Sequence, residues 1–134
     1  MNTAQTLLYA EDDPNDVTLM TIALQRTGAP CNLHVVKNGV EAIEWLRELL
    51  QAEAQLPCVI LLDVNLPMVT GLEVLSWIRA EPRLVSVPVW VFTSSKQPVD
   101  TRRSQELGAT EYHVKPSTIS EYVAFAKALT RNCA

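Results

Sequence analysis

Five short apolar runs, residues 6–10, 33–37, 59–62, 87–92 and 110–114, alternate along the chain with longer segments of helical period. Runs of this length and composition predict β-strands. The third reads Val-Ile-Leu-Leu with no polar position, as a strand covered on both faces of a parallel sheet requires. The segments between them carry helix punctuation. Asp13 can cap a helix that has Pro14 at its first position, and Gly28 ends it. Asn38 with Glu41, Thr70 with Glu73, and Thr118 with Glu121 have the cap-x-x-Glu spacing of a capping box. In the last helix Ile119, Tyr122, Val123 and Ala126 form one apolar stripe. The segment 98–107 is the poorest in apolar residues and stops at Gly108, and the tail after about Arg131 reads as loose.

Strands alternating with helices predict a doubly wound α/β fold. At this size the five-stranded parallel sheet takes the flavodoxin-like order 2-1-3-4-5, with helices on both faces. A chain of 134 residues then forms a single domain, 1–134, with no room for an output domain.

Composition narrows the function. With 48% hydrophobic and 19% charged residues the chain is built to fold, and a net charge of −4 argues against a nucleic-acid partner. No apolar run approaches about 18 residues, so no membrane span is expected. The start MNTAQTLLYAEDD lacks the basic and apolar regions of a secretory signal. Cys31, Cys58 and Cys133 are odd in number and show no CxxC spacing, which predicts reduced thiols in a cytoplasmic protein.

Functional groups of an open parallel sheet gather beyond the carboxyl ends of its strands. The first strand runs into Glu11-Asp12-Asp13, the third into Asp63, the fourth into Thr93-Ser94-Ser95 and the fifth into Lys115-Pro116. Distant polar residues therefore meet at one edge. Several carboxylates with one lysine repel one another unless a cation joins them. An all-oxygen set suits Mg2+. Asp63 is then the candidate metal ligand and nucleophile, with Lys115 and Thr93 holding phosphoryl oxygens.

Taken together, "AEDDPND", "LLDVNLPMVTG" and the late Lys-Pro resemble a response-regulator receiver domain of the chemotaxis type. The resemblance covers the whole chain and extends to the small stand-alone receivers that partner phytochrome histidine kinases. It implies an acidic pair at Glu11 and Asp12, a phosphoacceptor at Asp63, and a conserved-type hydroxyl and lysine at Thr93 and Lys115. Tyr112 takes the place of the switch aromatic. It further implies Mg2+ held by Asp12, Asp63 and the Asn65 backbone carbonyl, with Glu11 acting through a water, and a cis Lys115–Pro116 peptide. A histidine kinase or phosphotransfer protein would donate the phosphoryl group. A homodimer would form through the fourth helix, fifth strand and fifth helix. Ser95 departs from the family, since many receivers carry a charged side chain there.

Two alternatives stay open. A haloacid-dehalogenase-like phosphatase also uses an aspartate nucleophile and Mg2+, but would want an acidic residue where Asn65 stands. A pseudo-receiver would signal without phosphate. Among the remaining polar residues, Asp13 reads as a helix cap and His34 and His113 as strand residues. The tryptophans read as packing groups, and Arg102-Arg103 as a solvated helix face.

Overall fold

In the computed structural model, which describes residues 4–133, five parallel strands form one sheet in the order β2-β1-β3-β4-β5. They are β1 (Thr6–Ala10), β2 (Asn32–Val36), β3 (Val59–Leu62), β4 (Val89–Thr93) and β5 (Glu111–Val114). Strand β4 starts two residues later than the apolar run predicts. Proline at 88 has no N–H for the ladder, although its carbonyl accepts from the Ile60 amide at 2.9 Å.

The helices are α1 (Pro14–Thr27), α2 (Gly39–Gln51), α3 (Gly71–Ala80), α4 (Pro98–Glu106) and α5 (Ile119–Thr130). Asp13 caps α1 by accepting from the Asn15 amide, and Gly28 ends it in the left-handed conformation. Thr70 and Glu73 form the complete reciprocal box at the start of α3. At α2 the Asn38 side chain accepts from the Glu41 amide, while the Glu41 carboxylate accepts from the Lys37 amide and the Asn38 side-chain amide rather than from the Asn38 backbone amide.

Alternation along the strands splits the core into two layers. Leu7, Tyr9, Leu61, Trp90 and Phe92 face α1 and α5, where Tyr122 and Ala126 of the expected stripe are buried. Leu8, Ala10, Ile60, Leu62 and Val89 face α2 and α3. With all four residues buried, β3 is the central strand its composition predicts. Helix α4 buries Ser104 alone, so its attachment to the sheet is thin. The two histidines are strand residues that stack on tryptophans, His34 on Trp45 and His113 on Trp90.

Three expectations are corrected. The cysteines are not all reduced: Cys58 and Cys133 form a disulfide with their Cα atoms 5.2 Å apart, and only Cys31 is free. The chain beyond Arg131 is not loose, because a 3-10 turn, Arg131–Cys133, carries Cys133 into the core against the start of β3. Among the described residues no peptide bond is cis, so Lys115–Pro116 is trans. The Lys115 amide still pairs with the Thr93 carbonyl at 2.8 Å and fixes where its side chain leaves the sheet. Residues 1–3, which open the segment read as lacking a secretory signal, and residue 134 of the tail lie outside the described residues. None of the described helices is long and apolar enough to cross a membrane.

Candidate functional site

Strand register assembles the site. Ala10 pairs with Leu62, so the next residues of β1 and β3 are Glu11 and Asp63, side by side at the sheet's carboxyl edge. Thr93 pairs with Val114, which places Lys115 one step beyond it. Backbone bonds lock these ends: the Asp63 amide donates to the Ala10 carbonyl at 3.2 Å, and the Glu11 amide to the Val36 carbonyl at 2.9 Å.

The Lys115 ammonium lies 2.7 Å from Glu11 Oε1, 2.8 Å from Asp16 Oδ2 and 2.8 Å from Asp63 Oδ2. The ammonium donates hydrogen bonds to Asp16 and Asp63, and Glu11 completes the ring of carboxylates as an ion pair. Burial alone would lower the lysine's pKa, but its bonds to Asp16, Asp63 and Glu11 outweigh that and raise it. The second Asp63 oxygen, Oδ1, accepts from the Asn65 amide at 3.0 Å, and the residue is 4% exposed. Thus both carboxylate oxygens are aimed.

Glu11 is 1% exposed and accepts from the Tyr9 hydroxyl at 3.2 Å and the Asp13 amide at 3.2 Å. Burial pushes its pKa up from 4.5 to about 7; the Lys115 bond opposes this and the Asp63 charge adds to it. Between those values the folded protein binds a proton that the unfolded chain has released. This group's contribution to stability is therefore greatest below pH 4.5 and declines as pH rises to about 7. Lys115 adds no opposing slope there, because its stabilisation is lost only above its ordinary value of 10.5. In metal-free buffer, moving from about pH 5 to about pH 7.5 should lower Tm more for the wild type than for Glu11→Gln. Equal shifts in thermal melts of the two proteins would contradict this.

Thr93 is fully buried and its Oγ1 accepts from the Ser95 amide at 3.2 Å. The Tyr112 hydroxyl donates to the Ser95 carbonyl at 2.9 Å, so the switch aromatic grips the loop that follows Thr93. Ser95 itself bonds Asp100 of α4 through its hydroxyl. The loop, α4 and β5 are therefore joined at one point.

The structure brings Glu11, Asp63 and Lys115 together as expected, with Thr93 at the neighbouring strand end. Asp12 is exposed and, among the described residues, makes no side-chain hydrogen bond or ion pair. Asn65 is exposed and engages Asp63 through its amide. Sequence reasoning missed Asp16. Its place in the first turn of α1 reads as an ordinary complement to the helix dipole. Its signal was the third aspartate of "AEDDPND", one turn beyond the acidic pair.

No three Asp, Glu, His or Cys side chains among the described residues converge as a metal cage; the carboxylates converge on Lys115 instead. The donor chemistry still fits a hard divalent cation. Glu11, Asp16 and Asp63 are oxygen donors around one ammonium with Asp12 exposed beside Glu11 in sequence, and burial, aided by the Asp63 charge, holds Glu11 partly protonated near neutral pH.

The model of the response regulator receiver domain family matches residues 7–127. The chain belongs to that family. Receivers act in two-component signalling as phosphoacceptors that partner histidine kinases or phosphotransfer proteins. This receiver is 33% identical over 115 residues to the probable methanogenesis regulatory protein FilR2 of Methanothrix harundinacea, covering 86% of the chain and 74% of that protein. It is 31% identical to the response regulator Rcp1 of Synechocystis, covering 90% of the chain and 82% of Rcp1. It spans only 51% of the Mycolicibacterium smegmatis DNA-binding regulator MtrA and 48% of the Bacillus subtilis regulator PhoP. Among solved structures, the phosphorylated cyanobacterial phytochrome response regulator RcpA superposes with a TM-score of 0.87 at 31% identity, covering 98% of the receiver and 94% of RcpA. The Mn2+-bound form of Rcp1 gives 0.83 at 28% identity, covering 94% and 91%. The bacteriophytochrome response regulator RtBRR gives 0.77 at 38% identity, covering 91% and 75%.

Proposed function

We propose that the receiver takes a phosphoryl group from a histidine kinase or phosphotransfer protein onto Asp63 and promotes both this transfer and the later hydrolysis of the aspartyl phosphate. The observation that carries the reading is the Lys115 ammonium 2.8 Å from Asp63 Oδ2, on a carboxylate buried at the end of the central strand. An Asp63 oxygen attacks the phosphorus of phosphohistidine, the P–N bond breaks, and the imidazole leaves. Catalysis consists of positioning and charge stabilisation. The β3 ladder and the Asn65 amide fix the nucleophile, and the ammonium meets the charge that develops on the phosphoryl oxygens. The Thr93 hydroxyl donates to one of those oxygens. Asp12, Asp63 and the Asn65 carbonyl, with Glu11 acting through a water, would hold a divalent cation that would further neutralise the phosphoryl charge; Mg2+ fits the oxygen donors, and Mn2+ is the ion in the Rcp1 structure. Hydrolysis uses the same groups, with water as the attacking species.

When Thr93 turns toward the phosphoryl group, the loop that Tyr112 holds at Ser95 shifts with it. The thinly buried α4 is the element free to follow. Val99 on α4 and Val114 on β5 are 45% and 40% exposed, an apolar pair that supports a homodimer through the α4–β5–α5 face. Similarity to RcpA, Rcp1 and RtBRR supports a phytochrome-type kinase as the donor.

Incubation with acetyl phosphate, followed by intact mass measurement, tests the reading. One phosphate adduct is expected, dependent on Mg2+ and absent in Asp63→Asn; an adduct that persists in that variant overturns the assignment. The same samples run by sedimentation velocity report whether the adduct shifts the chain toward a dimer.

A further inference from the structure

Asp16 stands where three elements meet. It is the third residue of α1, its side chain is 19% exposed, and its two oxygens are used separately. Oδ2 accepts from Lys115 Nζ at 2.8 Å, across 99 residues of sequence. Oδ1 accepts from the hydroxyl of Tyr122 in α5 at 3.1 Å. Tyr122 is 2% exposed and packs edge-on against Phe92, the residue before Thr93.

The three carboxylates on Lys115 are not equivalent. A phosphoryl group on Asp63 moves negative charge outward from the carboxylate onto phosphoryl oxygens. An ammonium that follows this charge must release another partner. Glu11 is deeply buried and further tied to Tyr9 and the Asp13 amide, so the Lys115 bond is what keeps its charge compensated. Asp16 lies nearer the rim, where solvent can take the place of a lost partner. The bond to Asp16 is therefore the one to break.

We propose that Asp16 is a positioning residue that competes with a phosphoryl group on Asp63 for the Lys115 ammonium and ties that competition to α5 through the Tyr122 hydroxyl. The proposal rests on the phosphoacceptor reading above. It adds a route from the site to α5 that does not pass through Thr93 and Tyr112.

Beryllofluoride, a phosphoryl mimic, tests it by titration in the presence of Mg2+. A bond present only in the free receiver weakens binding by its own strength, so removing it must tighten binding. Asp16→Asn should bind about tenfold more tightly or better, the scale of one charge-assisted hydrogen bond. Asp16→Glu, which restores the charge, should return toward wild type. In a Lys115→Met background Asp16→Asn should have no effect, as a double-mutant cycle requires. In amide spectra, Tyr122→Phe should reduce the beryllofluoride-induced shifts of α5 while leaving those around Asp63. Unchanged or weaker binding by Asp16→Asn overturns the proposal, as does a gain that survives Lys115→Met. A wild type that fails to bind beryllofluoride, or an Asp63→Asn variant that binds it equally well, overturns the phosphoacceptor reading and the proposal with it.

Discussion

Reducing the Cys58–Cys133 disulfide is expected to lower the free energy of unfolding by about 4 kcal/mol. The bond spans 75 residues, so it closes a loop that contains everything from β3 to the end of α5. Most of its effect lies in the unfolded chain, whose conformational freedom it restricts. In the folded state both cysteines belong to the core layer beneath α1 and α5, each 8% exposed. Urea unfolding with and without reductant measures the difference, and alkylation followed by mass measurement should label Cys31 alone in the oxidised protein. Coincident midpoints under the two conditions would refute the expectation. Loss of the bond should also fray the Arg131–Cys133 turn first, because that turn is the end of the chain it anchors.

The sequence reading erred at this bond for an identifiable reason. Spacing rules detect cysteines that are neighbours in the chain, whereas Cys58 and Cys133 become neighbours only after α5 has packed along the sheet. The fold itself was legible because it depends on local signals. The apolar runs, the Asp13 and Thr70 caps and Gly28 act within a turn or two of themselves, and they place β1, β3, α1 and the start of α3 within a residue of where they lie. The candidate site was legible one step further. Once parallel order is granted, the register at Ala10–Leu62 and Thr93–Val114 carries Glu11, Asp63 and Lys115 to one edge. What could not be read was the sharing of side chains. An aspartate in the first turn of a helix is explained by the dipole, so nothing local marks Asp16 as a partner of Lys115 and Tyr122. Asp12 shows the converse. Its neighbour Glu11 lies buried beneath Lys115 while Asp12 stays in solvent, and adjacent acidic residues do not announce which of the two faces the core.

The second large effect is expected at Gly71, which the sequence offers only as the end of "LLDVNLPMVTG". The first residue of α3 packs directly on the end of β3: a Cβ at Gly71 would lie 2.8 Å from the Val64 Cα and closer still to the Asp63 carbonyl oxygen. These are backbone atoms, and the Gly71 amide donates to the Val64 carbonyl at 3.2 Å, so neither side can yield alone. The intervening loop is already constrained, with Met68 in the left-handed region at φ 69°. Gly71→Ala must therefore push α3 away from the phosphoacceptor or push Asp63 out of line. Overpacking of this kind destabilises by about 1–3 kcal/mol. The chemistry should suffer more than the fold, because a displacement of about 1 Å at a reacting group can slow a reaction by roughly a hundredfold. Gly71→Ala should thus remain folded by circular dichroism yet form the acetyl-phosphate adduct on the order of a hundred times more slowly than the wild type. A variant that is folded and labelled at the normal rate would show that the close approach of α3 to Asp63 does not set the geometry of the nucleophile. The β3 ladder, the Asn65 amide and the Lys115 ammonium would then suffice to hold the Asp63 carboxylate in line.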